Sequence, residues 1–260
     1  FNVADTFTEY SWANEWTPWI VGVVLAVLMA GSIFGGTRRL TDVTGLLVPV
    51  MAIIYLGVGL VVVALNYQNI PAMFAAIFRG AFDFPAIFGG FAGSAMMQGI
   101  KRGLYSNEAG VGSAPNAAAS ASVSHPAKQG LVQMLSVFID TMVICTLTAF
   151  VILSSGVGKD GGVKGAPLVK DAMATVLGQP IAQVFISLAL FLFAFTTLVG
   201  NFYYAEVNFR FLLRNITMEQ WMLTAFRLVA AALVFCGALL KFEVAWSLGD
   251  ILMGLMALIN

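Results

Sequence analysis

The chain has 260 residues, of which 60% are hydrophobic and only 10% are charged, and its formal net charge is zero. Soluble domains carry about 25% charged residues, so this composition places the chain in a lipid bilayer. Zero net charge gives no support for nucleic acid or an acidic protein as a partner. We therefore expect an all-α membrane protein.

Long apolar runs predict one transmembrane domain over residues 1–260. The predicted spans are 17–34, 45–65, 85–104, 131–153, 181–204, 220–240 and 244–260. The stretch 70–82 is too short to cross about 30 Å of hydrocarbon and indicates an amphipathic helix at the interface. A loop rich in Gly, Lys and Asp is expected over 155–171. Because the chain starts at Phe1 and stops inside an apolar run, we expect it to be the middle or end of a longer protein.

Charge placement predicts the orientation. Residues 1–16 are acidic, contain two tryptophans and lack Lys and Arg, which is typical of a non-cytoplasmic interface. The cytoplasmic loops then hold seven basic residues (Arg38, Arg39, Lys101, Arg102, Lys128, Arg210, Arg214) against five outside (Arg79, Lys159, Lys164, Lys170, Lys241). This bias places the amino end of the chain outside.

The span 85–104 is interrupted by glycines. The span contains Gly89, Gly90 and Gly93, followed by Ser94. Each glycine in the interior of a helix lowers helix stability by about 1 kcal/mol relative to alanine. Broken backbone at membrane depth is tolerated only where it is buried in protein or lines a cavity, and transporters bind substrates and ions at such breaks. We predict an interruption within about residues 88–94. The alternative is that the small residues only let helices pack closely.

The next segment, RGLYSNEAGVGSAP at 102–115, has few charges for a cytoplasmic connector. Asn107 and Glu108 between its glycines could form a turn or helix start that closes the cytoplasmic side. The alternative is an ordered re-entrant loop with a purely structural role. Spacing alone does not separate the two.

Two adjacent hydroxyls, Thr196 and Thr197, lie near the middle of the span 181–204. A hard cation prefers oxygen ligands, and these hydroxyls with the carbonyl of Phe193 would supply them without a charge. Asn201 lies one turn beyond Thr197 on the same face. The alternative is that the hydroxyls only bond back to a carbonyl four residues earlier.

Asp140 lies near the centre of the span 131–153, where an ionisable group is a functional candidate for ion binding or gating. The alternative is a structural hydrogen bond to another helix, and Glu206 and Asp250, nearer span ends, are weaker candidates. Both cysteines, Cys145 and Cys236, lie in apolar runs and are predicted to be buried packing thiols.

Several motifs are absent from the sequence: a Walker-type phosphate loop, H-E-x-x-H, G-x-S-x-G and the TVGYG filter. Nothing therefore points to an enzyme, to transport driven directly by nucleotide or to a potassium channel.

The segment at 102–115 closely resembles the signature of the alanine/glycine:cation symporter family. Further similar segments, such as GGTRRLTDVTGLLVPVMAIIYLGVGL, FIDTMVICTLTAFVILSSG and LFAFTTLVGNFYYAE, follow in family order along nearly the whole chain. The resemblance implies a partial leucine-transporter-type fold, a five-plus-five inverted repeat represented by core helices four to ten. It further implies symport of sodium and a small neutral amino acid across a bacterial or archaeal plasma membrane, with sodium as a co-transported ligand and no cofactor.

The resemblance also assigns residues. It places Gly89, Gly90, Phe91, Gly93 and Ser94 at the substrate, and Phe193, Thr196 and Thr197 at a sodium site. At Asn201 the family also admits a tryptophan that bounds the substrate pocket. Core helices one to three would precede Phe1. A passive channel or a structural membrane subunit is the alternative function, because packing alone would also explain the small residues.

Overall fold

The computed structural model describes residues 2–34, 37–85, 95–108, 110–158, 163–214 and 220–259. Within these ranges all regular structure is helical and no strand occurs, which confirms the predicted all-α class. Among the described residues, four helices are long and apolar enough to cross a membrane, namely Gly45–Leu65, Pro126–Ser155, Gln179–Leu212 and Gln220–Ala238.

Eleven helices follow one another along the described residues. They are α1 (Asn2–Thr8), α2 (Thr17–Phe34), α3 (Thr37–Leu65), α4 (Ile70–Ala81), α5 (Ala95–Asn107), α6 (Ser113–Ala118), α7 (Pro126–Ser155), α8 (Ala166–Leu177), α9 (Gln179–Leu212), α10 (Gln220–Ala238) and α11 (Phe242–Ile259). A short 3₁₀ turn, Tyr67–Asn69, precedes α4. The middle of α7, Ile139–Cys145, is π-helical.

One expected loop is in part helical. The sequence predicted a loop over 155–171, but α8 begins at Ala166. Gly165 takes a φ of 70°, in the left-handed region that favours glycine, and lets the chain turn into the helix. Pro167 then lies in the first turn, where its missing N–H is not needed.

Helix α8 closes the larger of two apolar clusters. Its Met173 is fully buried together with Val62 of α3 and Val151 of α7, and Ile186 of α9 completes the centre of the cluster. Burying such a side chain contributes about 1.5–3 kcal/mol. The four helices α3, α7, α8 and α9 are thereby held as one packed unit.

A second, smaller cluster joins α2 to α9. Met29 and Ile33 of α2 pack against Phe202 of α9, and Phe226 of α10 lies beside it. The α2–α10 contact is close, because a Cβ added to Gly22 would lie 3.0 Å from the Cβ of Ala238. Small residues therefore set the spacing of these two helices.

The prediction for the cysteines was wrong. Cys145 and Cys236 are both free and exposed. Their apolar surroundings in the sequence reflect helix faces that other protein helices cover only in part. Such faces need no burial in protein when hydrocarbon surrounds them, so an apolar run in a membrane protein does not predict which side of a helix is buried.

Candidate functional site

The middle of α9 contains the predicted sodium ligands. The hydroxyl of Thr196 donates a 3.0 Å hydrogen bond to the carbonyl oxygen of Phe193, three residues earlier. Thr196 is buried and Thr197 is exposed. Thr196 thus forms the side-chain-to-backbone hydrogen bond given above as the alternative, but to the carbonyl three residues earlier and not four. A hydroxyl that donates its hydrogen still has acceptor lone pairs, so both threonines remain able to bind a cation.

Thr197 and Phe193 face a cavity of about 650 Å³. Helices α1, α2, α10 and α11 supply the other walls, through Val3, Leu25, Leu233, Leu252 and their neighbours. Among the described lining residues, Thr197 is the only one with a polar side chain. Asn201, one turn further along α9, is exposed and is not part of this lining.

A second cavity of about 370 Å³ lies on the other side of Phe193. The first turn of α8 lines it, and a hydrogen bond of 2.8 Å between the hydroxyls of Tyr55 and Thr148 lies in its wall. The rings of Tyr55 and Phe193 meet edge to face at 5.9 Å. Phe193 and Leu190 line both cavities and therefore form part of the wall between them.

Asp140 contacts the neighbouring helix α5. The hydroxyl of Ser106 donates to its Oδ2 at 2.7 Å, which confirms the expected interhelical hydrogen bond. The contact places Ser106, near the carboxyl end of α5, beside the middle of the 30-residue helix α7. The segment that starts at Arg102 was expected to be a cytoplasmic connector, yet its first residues continue α5 and run alongside a spanning helix.

The segment after α5 has an unusual backbone. Asn107 ends α5, and Glu108 takes a φ of 53°, a conformation that costs a non-glycine residue about 1–3 kcal/mol. Gly110 and Gly112 also have positive φ angles, of 78° and 91°. Their lack of a Cβ lets both glycines adopt this left-handed conformation at little steric cost.

This turn packs toward α9. Glu108 interacts electrostatically with Tyr204, and the amide of Asn208 donates to Asn116 of α6 at 3.3 Å. The turn therefore lies beside α9, the helix that also contains Thr196 and Thr197. The hydroxyl of Ser113 is buried without a hydrogen-bond partner among the described residues.

The two carboxylates judged weaker candidates both form ion pairs. Asp250 of α11 lies 2.7 Å from Lys101 and 3.1 Å from Arg102, whose guanidinium also stacks 4.3 Å from the Trp246 ring. Glu206 is buried between Arg210 of its own helix and Arg227 of α10, at 2.6 and 3.6 Å. No group of three or more His, Cys, Asp or Glu suited to a metal occurs in the described ranges.

The predicted substrate residues Gly89, Gly90, Phe91, Gly93 and Ser94 lie outside the described residues, as does the interruption expected at 88–94. Sequence reasoning missed Ser106 and Tyr55. Tyr55 lies in an apolar run and carries no distinct signal, and Ser106 belongs to the segment 102–115, in which only Asn107 and Glu108 were singled out. Only their partners on other helices, Asp140 and Thr148, distinguish them.

A family model described as the sodium:alanine symporter family matches residues 1–260. The amino-acid carrier protein AlsT of Bacillus subtilis is 47% identical over 241 residues, 93% of this chain and 50% of the relative. The sodium/alanine symporter AgcS of Methanococcus maripaludis is 39% identical over 94% of the chain and 53% of its own length. The probable sodium/glutamine symporter GlnT of Bacillus subtilis is 40% identical over 92% and 49%. The chain therefore spans about half the length of these relatives.

Proposed function

Since the chain belongs to the sodium:alanine symporter family, we propose that it serves sodium-coupled symport of a small neutral amino acid, alanine or glycine, by alternating access. The family consists of transporters and not enzymes. We place the transporter in the plasma membrane of a bacterium or archaeon. Its ligands are the amino acid, sodium and the surrounding lipid.

The proposed fold is the leucine-transporter type, with five-plus-five inverted repeats. In this fold α2 is core helix four, the span that ends in α5 is core helix six, and α9 is core helix eight. The spans predicted at 17–34, 45–65, 85–104, 131–153, 181–204, 220–240 and 244–260 would then be core helices four to ten. The order of the long apolar helices supports this assignment.

One observation supports the sodium site above the others. Thr197 supplies the only polar side chain among the described residues around the 650 Å³ cavity, and it lies next to Thr196 and one turn from Phe193. Sodium takes oxygen ligands, and neutral hydroxyl and carbonyl oxygens are among the oxygens that hard cations accept. The Thr196 and Thr197 hydroxyls and the Phe193 carbonyl are the proposed ligands from α9.

The proposed substrate site combines the glycine-rich backbone of Gly89–Ser94, with Phe91, and Asn201 of α9. Exposed N–H and C=O groups in a broken helix would bind the carboxylate and ammonium of an amino acid. Asn201 is smaller than the tryptophan that the family admits at this place. We therefore extend the test to glutamine, the amino acid in the name of the relative GlnT.

The proposed coupling requires that sodium stabilises one state of the transporter more than the other, because equal affinity for both states shifts no equilibrium. Asp140, Asn107 and Glu108 are proposed to act in ion coupling or gating. Asn107 and Glu108 begin the turn that packs toward α9, and Asp140 is bonded to the same helix α5.

Counterflow of labelled alanine in proteoliposomes tests the proposal. A complete transporter that carries this sequence should accumulate labelled alanine only with an inward sodium gradient. It should exchange alanine for glycine when sodium is present on both sides of the membrane. Glutamine as a competitor reports the limit on side-chain size. Uptake that merely equilibrates and ignores the gradient would identify a passive channel, and no uptake at all would indicate a structural subunit.

A further inference from the structure

The π-helical segment in the middle of α7 is unusual. A π-turn, with its i→i+5 hydrogen bonds, is rare and is found mostly at functional sites. In this chain it covers the seven residues Ile139–Cys145 and begins next to Asp140. The hydroxyl of Thr146 donates at 3.2 Å to the carbonyl of Thr141, five residues earlier, and so satisfies a backbone group of the widened turn.

Ser106 of α5 contacts both ends of this π-turn. Its hydroxyl donates to Asp140 at 2.7 Å, and the Sγ of Cys145 lies 3.3 Å from the same oxygen. A serine has one hydroxyl hydrogen, and Asp140 receives it. The Cys145 thiol is therefore the donor to Ser106, and the three groups form a chain of hydrogen bonds across the two helices.

This double contact depends on the π register. In an α-helix, with 3.6 residues per turn, two residues five apart point about 140° away from each other. One side chain on a neighbouring helix would then not reach both. The wider π-turn brings positions 140 and 145 to the same side, where Ser106 meets them.

We propose that Ser106 is a positioning residue that holds α7 in the π register, and that this contact is released when α5 moves during transport. Release would let the turn relax toward α geometry. One residue of register corresponds to about 100° of rotation, so the part of α7 before residue 139 would rotate relative to the part after residue 145. The inference rests on the proposed function only in the claim that α5 moves during the cycle.

The position of α5 explains how its movement would reach the π-turn of α7. Its amino end follows the glycine-rich segment, and its carboxyl end meets the Glu108 turn. Between them, Arg102 joins α5 to α11 through Asp250, and Ser106 joins it to α7 through Asp140. A displacement of α5 would therefore act on α7 at its least regular point.

Cys145 is an exposed native thiol and reports on this contact. In a complete transporter carrying Cys236→Ser, purified in detergent without ligand, we expect Ser106→Ala to raise the maleimide alkylation rate of Cys145 about tenfold, the factor for losing about 1.4 kcal/mol. Ser106→Thr, which keeps the hydroxyl, should restore the parental rate. Ser136→Ala, an exposed serine of α7 outside the π-turn, is the matched control. Equal rates for the parent and Ser106→Ala would overturn the proposal.

Adding sodium and alanine should change the alkylation rate of the parent and leave Ser106→Ala unchanged. If the parent accumulates alanine in proteoliposomes but its Cys145 rate ignores both ligands, the release of the contact during transport is disproved. A parent that accumulates no alanine contradicts the proposed function instead. The ligand-free comparison still decides whether Ser106 holds the π-turn.

Deleting Met142, an exposed residue of the π-turn, should force the α register. We expect this variant to fold and to lose at least about tenfold in sodium-dependent uptake, while Met142→Ala transports like the parent. Parental uptake by the deletion variant would show that the π register is dispensable. If the deletion variant does not fold, the ligand-free alkylation rates of the parent and Ser106→Ala alone decide whether Ser106 holds the π-turn.

Discussion

Glu206 of α9 and Arg227 of α10 form an ion pair across two helices, with 3.6 Å between Oε1 and the guanidinium. Arg210, one turn further along α9, approaches the same oxygen at 2.6 Å. Glu206 is buried, whereas the side chain of Arg210 is 47% exposed. The buried carboxylate of Glu206 therefore needs the arginines to offset its lost hydration, whereas Arg210 remains largely hydrated and needs the carboxylate less.

Replacing Glu206 with glutamine should destabilise the protein strongly. The substitution removes the buried charge that Arg210 and Arg227 approach, and removing one member of a buried pair costs about 3–5 kcal/mol. Arg210→Ala should cost less than about 1 kcal/mol, because that side chain is largely exposed. Thermal unfolding in detergent of both variants measures the difference. Equal losses of Tm would show that the burial of Glu206 does not matter.

Substitution of the α9 threonines should weaken sodium binding. Thr197→Ala or Thr196→Ala removes one contact to a charged group, worth about 1.5–3 kcal/mol, so the sodium concentration for half-maximal uptake should rise about ten- to a hundredfold. Alanine affinity at saturating sodium should change much less. Thr196→Ser is the control, because it keeps the hydroxyl that donates to Phe193. Variants that keep the parental sodium dependence and lose only alanine affinity would mean that the ion binds elsewhere.

Asp140→Asn should keep the fold and change ion or substrate affinity. Asparagine can still accept the hydrogen bond from Ser106 but lacks the charge. We expect about a tenfold change in the sodium concentration for half-maximal uptake. Uptake measured across sodium concentrations and pH checks this. If the variant matches the parent at every condition, the role of Asp140 is structural.

The ion pair between Lys170 of α8 and Glu9 predicts a pH dependence of stability. Burial by itself lowers the pKa of Lys170, but its hydrogen bonds to Glu9, at 2.6 Å, and to Asp171 outweigh it, and the pKa is raised above its ordinary value of 10.5. Because the folded pKa is the higher one, the stabilisation is fully present below the ordinary pKa and is lost as the pH rises through the folded pKa. The Tm of the parent should fall in this alkaline range. Glu9→Gln should show a smaller alkaline decrease, and an identical decrease in both would contradict the assignment.

Two glycines of α3 should respond oppositely to alanine. A Cβ at Gly59 would lie 2.7 Å from a methyl carbon of the buried Leu147 of α7, whereas Gly57 has nothing within 4 Å. Gly59→Ala should destabilise the helix pair, since overpacking costs about 1–3 kcal/mol. Gly57→Ala should be neutral or stabilise by up to about 1 kcal/mol from helix propensity. Thermal unfolding of the two variants compares them directly, and a stabilised Gly59→Ala would show that α3 and α7 have room to separate.

The helices were largely predictable from the sequence, and the contacts between them were not. Hydrophobic runs predicted helices at 17–34, 181–204 and 220–240, where α2, α9 and α10 lie, because backbone groups in an apolar environment must bond within the helix. The burial of Cys145 and Cys236 was predicted wrongly. When lipid and protein interior are equally apolar, hydrophobicity no longer distinguishes the two faces of a helix.

The sequence by itself determined the class of the protein, several of the long apolar helices and, through the SNEAG motif within 102–115, the family. These properties depend on local composition and on short motifs, which can be recognised without knowing the three-dimensional structure. Only the tertiary structure decided that Ser106 meets Asp140 and Cys145, that Thr197 faces the large cavity while Thr196 bonds to Phe193, and that Glu206 and Asp250 are ion-paired. Each depends on which faces of distant helices come together, and that is set by packing between residues separated by tens of positions.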